Sequence, residues 1–360
     1  MKRIKKILSV IIPSYNMETY LPSCLSSLIL DDEELFRRLD VIVVNDGSKD
    51  HTSAVAHKYN KMYPHVFRVI DKDNGHYGSC VNVALPVVEG EYVKILDADD
   101  SYDKYGFARW LKLIANKIDA GSLKDVDLIV TDFATVDGAN KCRGIQRAFI
   151  PQERILDIAQ IPRHYVFQMH AIAYRTEMIR SLGYVQSEGI MYTDTEWSVY
   201  PMAGVHKLYY SPIVVYRYLI AREGQSMDVA VFERCLWQRI KMYMRMARES
   251  QDGKWAGACY RMKYQMLAGM RSLYLGAVGQ SLSDFNARML LIDNFVNKFG
   301  HDVYQMVDEI TLSMFKSLRV VKSWRRKRHV GRLYYAVIRC DALFAQSIAP
   351  IKQLVKKVIR

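Results

Sequence analysis

An α/β fold on a mostly parallel central sheet, followed by an α-helical C-terminal region, is predicted by three features of the sequence. Short β-branched runs alternate with helical stretches as far as residue 131, which is the pattern of right-handed βαβ units. Each of the first four runs ends on polar or turn-forming residues. From Val229 onward the runs stop, and helical periodicity takes over at 229–249, 254–279, 283–299 and 302–315.

In order, the first strand is the apolar run 7–12, which breaks at Pro13-Ser-Tyr-Asn16; Leu21, Leu25, Leu28 and Ile29 then recur at helical spacing. The run 41–44 closes on Asn45-Asp46-Gly47-Ser48. The run 66–70 leads into Asn74-Gly75 and a further helix. Tyr92, Val93, Ile95 and Leu96 end abruptly in Asp97, Asp99 and Asp100, and a helix follows to Asn116. Ligands of such sheets bind outside the carboxyl ends of the strands. These four strand ends are therefore expected to meet at one rim. No G-x-G-x-x-G follows the first strand, and there is no P-loop.

Three carboxylates on one short turn repel one another unless a cation or hydrogen-bond donors neutralise them. Mg²⁺ and Mn²⁺ take oxygen ligands, commonly one or two carboxylates plus substrate phosphates. Asp97-x-Asp99 at a strand end thus points to a metal–diphosphate site; a solvated acidic turn capping the next helix is the structural alternative.

Further on, 165–179 reads as a strand with Thr176 capping a short helix. His170 lies near its middle, open both to a satisfied core imidazole and to a sugar or acceptor contact. The stretch 190–202 places Asp194 in the first turn of a helix, where a carboxylate is stabilised, with Glu196 and Trp197 behind it. The β-rich segment 207–228 ends in a Gly-containing loop with Arg222, Gln225 and Ser226, a composition suited to folding over a phosphate.

Length and composition allow two domains, or one with a large extension: 360 residues, half of them hydrophobic. Six scattered cysteines without ligand spacing fit reduced thiols in a cytosol and argue against a structural zinc site. The basic N-terminus precedes an apolar run too short for a signal peptide, and no window reaches membrane-span length. Residues 316–360 hold 13 Lys/Arg against a single acid, Asp341, and so carry nearly all of the net charge of +13. Ile351, Leu354, Val355, Val358 and Ile359 repeat at helical spacing between lysines, the pattern of an interfacial helix on an anionic bilayer. That partner is favoured over nucleic acid, because the apolar face has a use in lipid.

The segments SVIIPSYN, VVNDGS, DNGHYGSCVNVAL, EGEYVKILDADD and TDTEW, in this order across roughly residues 8–227, resemble the family 2 inverting glycosyltransferases with the GT-A fold. The resemblance implies a GT-A catalytic domain over 1–227, and the helical spacing and charge of the remainder then give a helical domain over 228–315 and a basic amphipathic tail over 316–360. It implies that Pro13, Tyr15 and Asp46 hold the nucleotide base, usually uracil. Asn74, Gly75, Asp97, Arg222 and Ser226 would complete the nucleotide-sugar site, Asp97 and Asp99 would bind Mn²⁺ or Mg²⁺, and Asp194 would be the catalytic base. His170, Glu196 and Trp197 are candidate sugar or acceptor contacts. The expected activity is transfer from a UDP-sugar to a glycan or polyprenyl-linked acceptor in cell-envelope polysaccharide synthesis, at the inner face of the membrane. The alternative is an inactive GT-A scaffold in glycan assembly. Two positions depart from the family pattern: Val81 precedes Asn82 where many relatives carry Arg, and Thr193 precedes Asp194 where many carry Glu.

Overall fold

The structure, a computed structural model, describes residues 4–220, 235–276 and 281–342. The chain forms two compact units, Met1–Glu233 and Arg234–Arg360.

The first unit is built on one ten-stranded sheet: β1 (Leu8–Ser14), β2 (Leu39–Asp46), β3 (Phe67–Lys72), β4 (Tyr92–Ile95), β5 (Ser101–Tyr102), β6 (Leu128–Val136), β7 (Cys142–Gln146), β8 (Ile155–Asp157), β9 (Ile172–Arg175) and β10 (Lys207–Leu219). The strand order is β3-β2-β1-β4-β9-β6-β10-β5, with β7 on β6 and β8 on β10. From β3 to β4 every pairing is parallel. β1 and β2 are buried along their whole length, as expected for parallel strands covered by helices on both faces. β6 and β10 are also parallel, whereas β9 runs antiparallel to both of its neighbours, β4 and β6.

β9 is shorter than the strand read at 165–179. Residues Met169–Ala171 form a 3₁₀ turn, and Thr176 opens a helix (Thr176–Ser181) without capping it by its side chain. Its hydroxyl instead donates to the carbonyl of Gly90 at 2.6 Å. The turn is tied from below by Lys94, whose Nζ donates to the carbonyls of His170 (2.6 Å) and Ile172 (3.2 Å).

The second unit is helical: Leu236–Glu249, Cys259–Leu275, Leu282–Asn297, His301–Met306 and Val320–Lys327. Met242, Met244, Met246, Met262, Met266, Met270 and Met289 are all buried in it, so the methionine periodicity marks packing. Part of the basic segment after 316 also turns inward. Arg325 bonds the buried Asp293 at 2.7 Å and Asp308 at 2.9 Å, and Val320, Val321 and Trp324 are buried beside it. Asp293 further accepts from the hydroxyls of Tyr304 (2.8 Å) and Tyr274 (3.3 Å). This satisfies a carboxylate that would be costly to bury alone. The amphipathic segment 350–360 lies outside the described residues. Among the described residues no helix is long and apolar enough to cross a membrane.

Candidate functional site

At the carboxyl end of β2, Asp46 is 3% exposed. Its hydrogen bonds fall on one oxygen: Oδ1 accepts from Lys72 Nζ at 2.7 Å and from the Gly75 N–H at 2.9 Å. Asn74 Nδ2 donates to the Asp46 carbonyl at 2.9 Å. Gly47 has φ of +70°, and a Cβ there would stand 2.9 Å from the Asn74 nitrogen, so the β2 turn needs glycine for both reasons. The neighbouring turn is laced to it, since Asn16 Oδ1 accepts from the Lys49 N–H (2.8 Å) and the Asn16 N–H donates to Ser48 Oγ (3.0 Å). Pro13 is buried in β1, while Tyr15 just beyond it is 44% exposed. The loops after β1, β2 and β3 thus form one connected ledge, with Tyr15 standing out from it.

Beyond the carboxyl end of β4 the acidic turn is held by tyrosines. Tyr77 donates to Asp97 Oδ1 at 2.8 Å. The Asp97 N–H donates to the Tyr216 oxygen (3.2 Å), and the Tyr216 hydroxyl donates to Asp100 Oδ2 at 2.6 Å. The Leu219 N–H donates to Asp100 Oδ1 at 2.7 Å, so Asp100 anchors the end of β10 to the acidic turn. Burial, then the charge of Asp99, pushes the Asp97 carboxyl up to about 7. Burial and then Asp97 raise Asp100 as well. Asp97, Asp100 and His170 each offer a ligand atom, all within 4.8 Å of one another. Asp99, expected to pair with Asp97 around the ion, is not in that group. It lines an adjoining cleft of about 390 Å³ with Tyr20, Ser23, Asn140 and Arg217.

Asp194 opens the helix Asp194–Val199. Its charge is among those that raise both Tyr77 and Asp97. Tyr218 is pushed up to about 12, first by burial and then by Asp100, Asp97, Asp99 and Asp194 together. Carboxylates nearly 100 residues apart in the chain therefore share one electrostatic neighbourhood. Glu196 and Trp197 do not face it. Glu196 is fully buried, with its carboxylate accepting from Ser187 N–H (2.8 Å) and Oγ (2.7 Å). Trp197 is fully buried against Tyr174 and Tyr184. Both side chains are buried, on the helical face turned into the core. Arg222 and Ser226 lie outside the described residues.

Residues 9–178 match the family model "Glycosyl transferase family 2". This stretch, a little under half of the chain, is a glycosyl transferase family 2 domain. It is 37% identical over 109 residues to an uncharacterized glycosyltransferase of Mycoplasma pneumoniae, covering 30% of this chain and 36% of that protein. It is 30% identical over 156 residues to the minor teichoic acid biosynthesis protein GgaB of Bacillus subtilis, covering 43% of this chain and 17% of that protein. The chain thus matches well under half the length of these relatives. The S. aureus TarS 1–349 structure in complex with UDP-GlcNAc superposes with a TM-score of 0.62 at 21% identity, covering 94% of this chain and 92% of that one. This likeness establishes the GT-A fold.

The family 2 domain uses its departure at Val81 structurally. Val81 is fully buried, and the next residue, Asn82, clamps the loop before Asp194. Asn82 Nδ2 donates to the Gln186 carbonyl and to Glu188, its Oδ1 accepts from the Gln186 N–H, and each bond is 2.8 Å. Gln186 Nε2 passes the restraint on to the Thr193 carbonyl at 2.8 Å. A Cβ at Gly78 would stand 1.9 Å from the Ser187 oxygen, so the helix and the loop meet at backbone distance. Gln186 and Tyr216 lie in no motif, and Tyr77 and Asn82 lie in DNGHYGSCVNVAL without anything local to mark these contacts; their roles come from pairing across long stretches of chain.

The family 2 domain also buries Lys94 completely beneath this site, and burial lowers its amine from 10.5 to about 7. The unfolded chain therefore holds a proton that the folded chain lacks between about pH 7 and 10.5. This contribution makes folding least favourable at and below pH 7, and the penalty vanishes as pH rises to 10.5. At roughly 1.4 kcal/mol per unit it amounts to several kcal/mol. The unfolding free energy of wild type minus that of Lys94→Met should rise steadily between pH 7 and 10.5 in urea titrations. A flat difference would show that Lys94 stays charged at no cost.

Proposed function

We propose that this chain is a metal-dependent inverting glycosyltransferase that moves a sugar from a UDP-sugar to a glycan or lipid-linked acceptor of the cell envelope. The observation that carries the reading is the convergence of Asp194 with Asp97 beside the ledge that ends at Asp46. Among the described residues the donors to the Asp46 carboxylate fall on Oδ1, which would leave the second oxygen for a ring N–H of a base laid against Tyr15. A uracil has such an N–H. UDP and UDP-GlcNAc complexes of TarS, which shares the fold, and the teichoic acid role in the name of GgaB support the same donor and acceptor classes.

The acidic turn fits a divalent cation, because its carboxylates are pushed toward protonation and a buried imidazole nitrogen beside them is unpaired. Asp97 would hold the ion, with Asp99 on the cleft side. When bound, the ion supplies charge stabilisation to the departing diphosphate. Asp194 then takes the proton of the acceptor hydroxyl as it attacks the anomeric carbon from the opposite face, which inverts that carbon. The clamp through Asn82 and Gln186 would steady the loop that leads into Asp194. The basic residues after 316 fit an anionic bilayer that presents a lipid-linked acceptor.

The test is a thermal-shift titration of the full chain. UDP with Mn²⁺ should raise the melting temperature by mass action, and Asp46→Ala should abolish most of the shift. Absence of any shift with UDP, and of transfer across a panel of UDP-sugars, would favour the inactive scaffold. Flotation with anionic but not zwitterionic vesicles tests the surface; equal behaviour with both would discard it.

A further inference from the structure

The register of β9 against β4 pairs Tyr92 with Arg175 and Val93 with Tyr174. Carried past Ile95, this antiparallel register brings the 3₁₀ turn that holds His170 across from the acidic turn that holds Asp97. The imidazole is wedged there by three rings, Tyr218, Tyr216 and Phe133, at centroid distances of 4.6, 4.8 and 5.0 Å. Its backbone carbonyl is gripped by Lys94, so the turn is not free to swing the ring elsewhere. Yet the ring Nδ1 is buried and has no hydrogen-bond partner. Leaving a buried polar atom unsatisfied is destabilising, and structures retain few of them without a use.

A ligand atom of His170 lies within 4.8 Å of one from Asp97 and one from Asp100. The two carboxylates are not exhausted by Tyr77, Tyr216 and the Leu219 N–H, since a carboxylate has about four acceptor positions. The unpaired ring nitrogen offers a lone pair of the kind that metal ions take from imidazole. Carboxylates alone accept any hard cation. Imidazole discriminates: Mg²⁺ favours oxygen ligands, whereas nitrogen donors favour later divalent ions, Mn²⁺ included.

We propose that His170 supplies a nitrogen ligand, beside Asp97 and Asp100, to the divalent cation of this site and thereby makes the site prefer Mn²⁺ to Mg²⁺. The inference rests on the metal-dependent reading above, and it assigns to His170 the choice of metal.

The experiment uses the full chain with UDP and follows bound Mn²⁺ by electron paramagnetic resonance, with Mg²⁺ as competitor. Wild type should show nitrogen modulation in the spin-echo envelope of the bound Mn²⁺. His170→Asn should weaken Mn²⁺ binding by about 10–100-fold while changing Mg²⁺ binding less than about threefold. Absence of nitrogen modulation in wild type overturns the proposal without relying on any variant. It is also overturned if His170→Asn binds Mn²⁺ as wild type does, or loses both ions equally, which would mark the ring as packing. Failure of wild type to take up Mn²⁺ with UDP at all would instead sink the metal-dependent reading, and this inference with it.

Discussion

Asp194→Asn should lower turnover with a competent UDP-sugar and acceptor by about 10²–10⁴-fold, the range for loss of a positioned general base, while UDP affinity changes less than about threefold. The split follows from position. Asp194 opens its helix on the side of the site that also contains Tyr77 and Asp97, whereas the ledge proposed to hold the base is built from the turns at Asn16, Gly47 and Gly75. The substitution is isosteric and leaves in place the restraints on the preceding loop that run through Asn82, Gln186 and the Glu196–Ser187 pair. A change in kcat with KM for donor held constant is the signature of an interaction made in the transition state. Steady-state kinetics with radiolabelled donor would check it. Wild-type turnover in the variant would move the base to another residue.

Asp97→Asn should abolish tight Mn²⁺ binding and reduce turnover by at least about 10³-fold, the several kcal/mol expected of a lost Lewis-acid site. The same variant should melt higher than wild type when both are stripped of metal at pH 8. Asp97 is pushed to about 7 by burial and by Asp99, so the folded protein binds more protons than the unfolded chain between about pH 4 and 7. That contribution to stability is complete below about pH 4 and is lost as pH rises through 7. A neutral amide escapes the loss and still accepts from Tyr77. Gain of stability with loss of function is what removal of a strained site residue produces. Calorimetry of both proteins in chelator at pH 5 and pH 8 decides it: the advantage of the variant should be larger at pH 8, and an advantage independent of pH would refute the repulsion.

The parallel half of the sheet is readable from residue order alone, because fully buried strands are continuous apolar runs whose ends are marked by abrupt changes of polarity. Asp46, Asp97 and Asp194 were legible for the same reason: each stands at such a boundary, where local pattern alone says a strand stops or a helix starts. The helical second unit was legible through its 3.6-residue spacing, methionines included.

Which of these residues meet is set by long-range packing. His170 reaches the acidic turn because β9 enters antiparallel beside β4, a pairing set by the register of segments some 80 residues apart and invisible to local periodicity. Asp100 joined Asp97 and Asp99 did not, since adjacent residues of one turn point in different directions that only the surrounding packing fixes. Glu196 and Trp197 sat in a motif yet turned inward, because burial of the apolar helical face overrides the polarity of one carboxylate once Ser187 satisfies it. Local propensity places the elements; the site is made by contacts whose partners are far along the chain, and those are chosen by whichever packing satisfies every buried polar group at once.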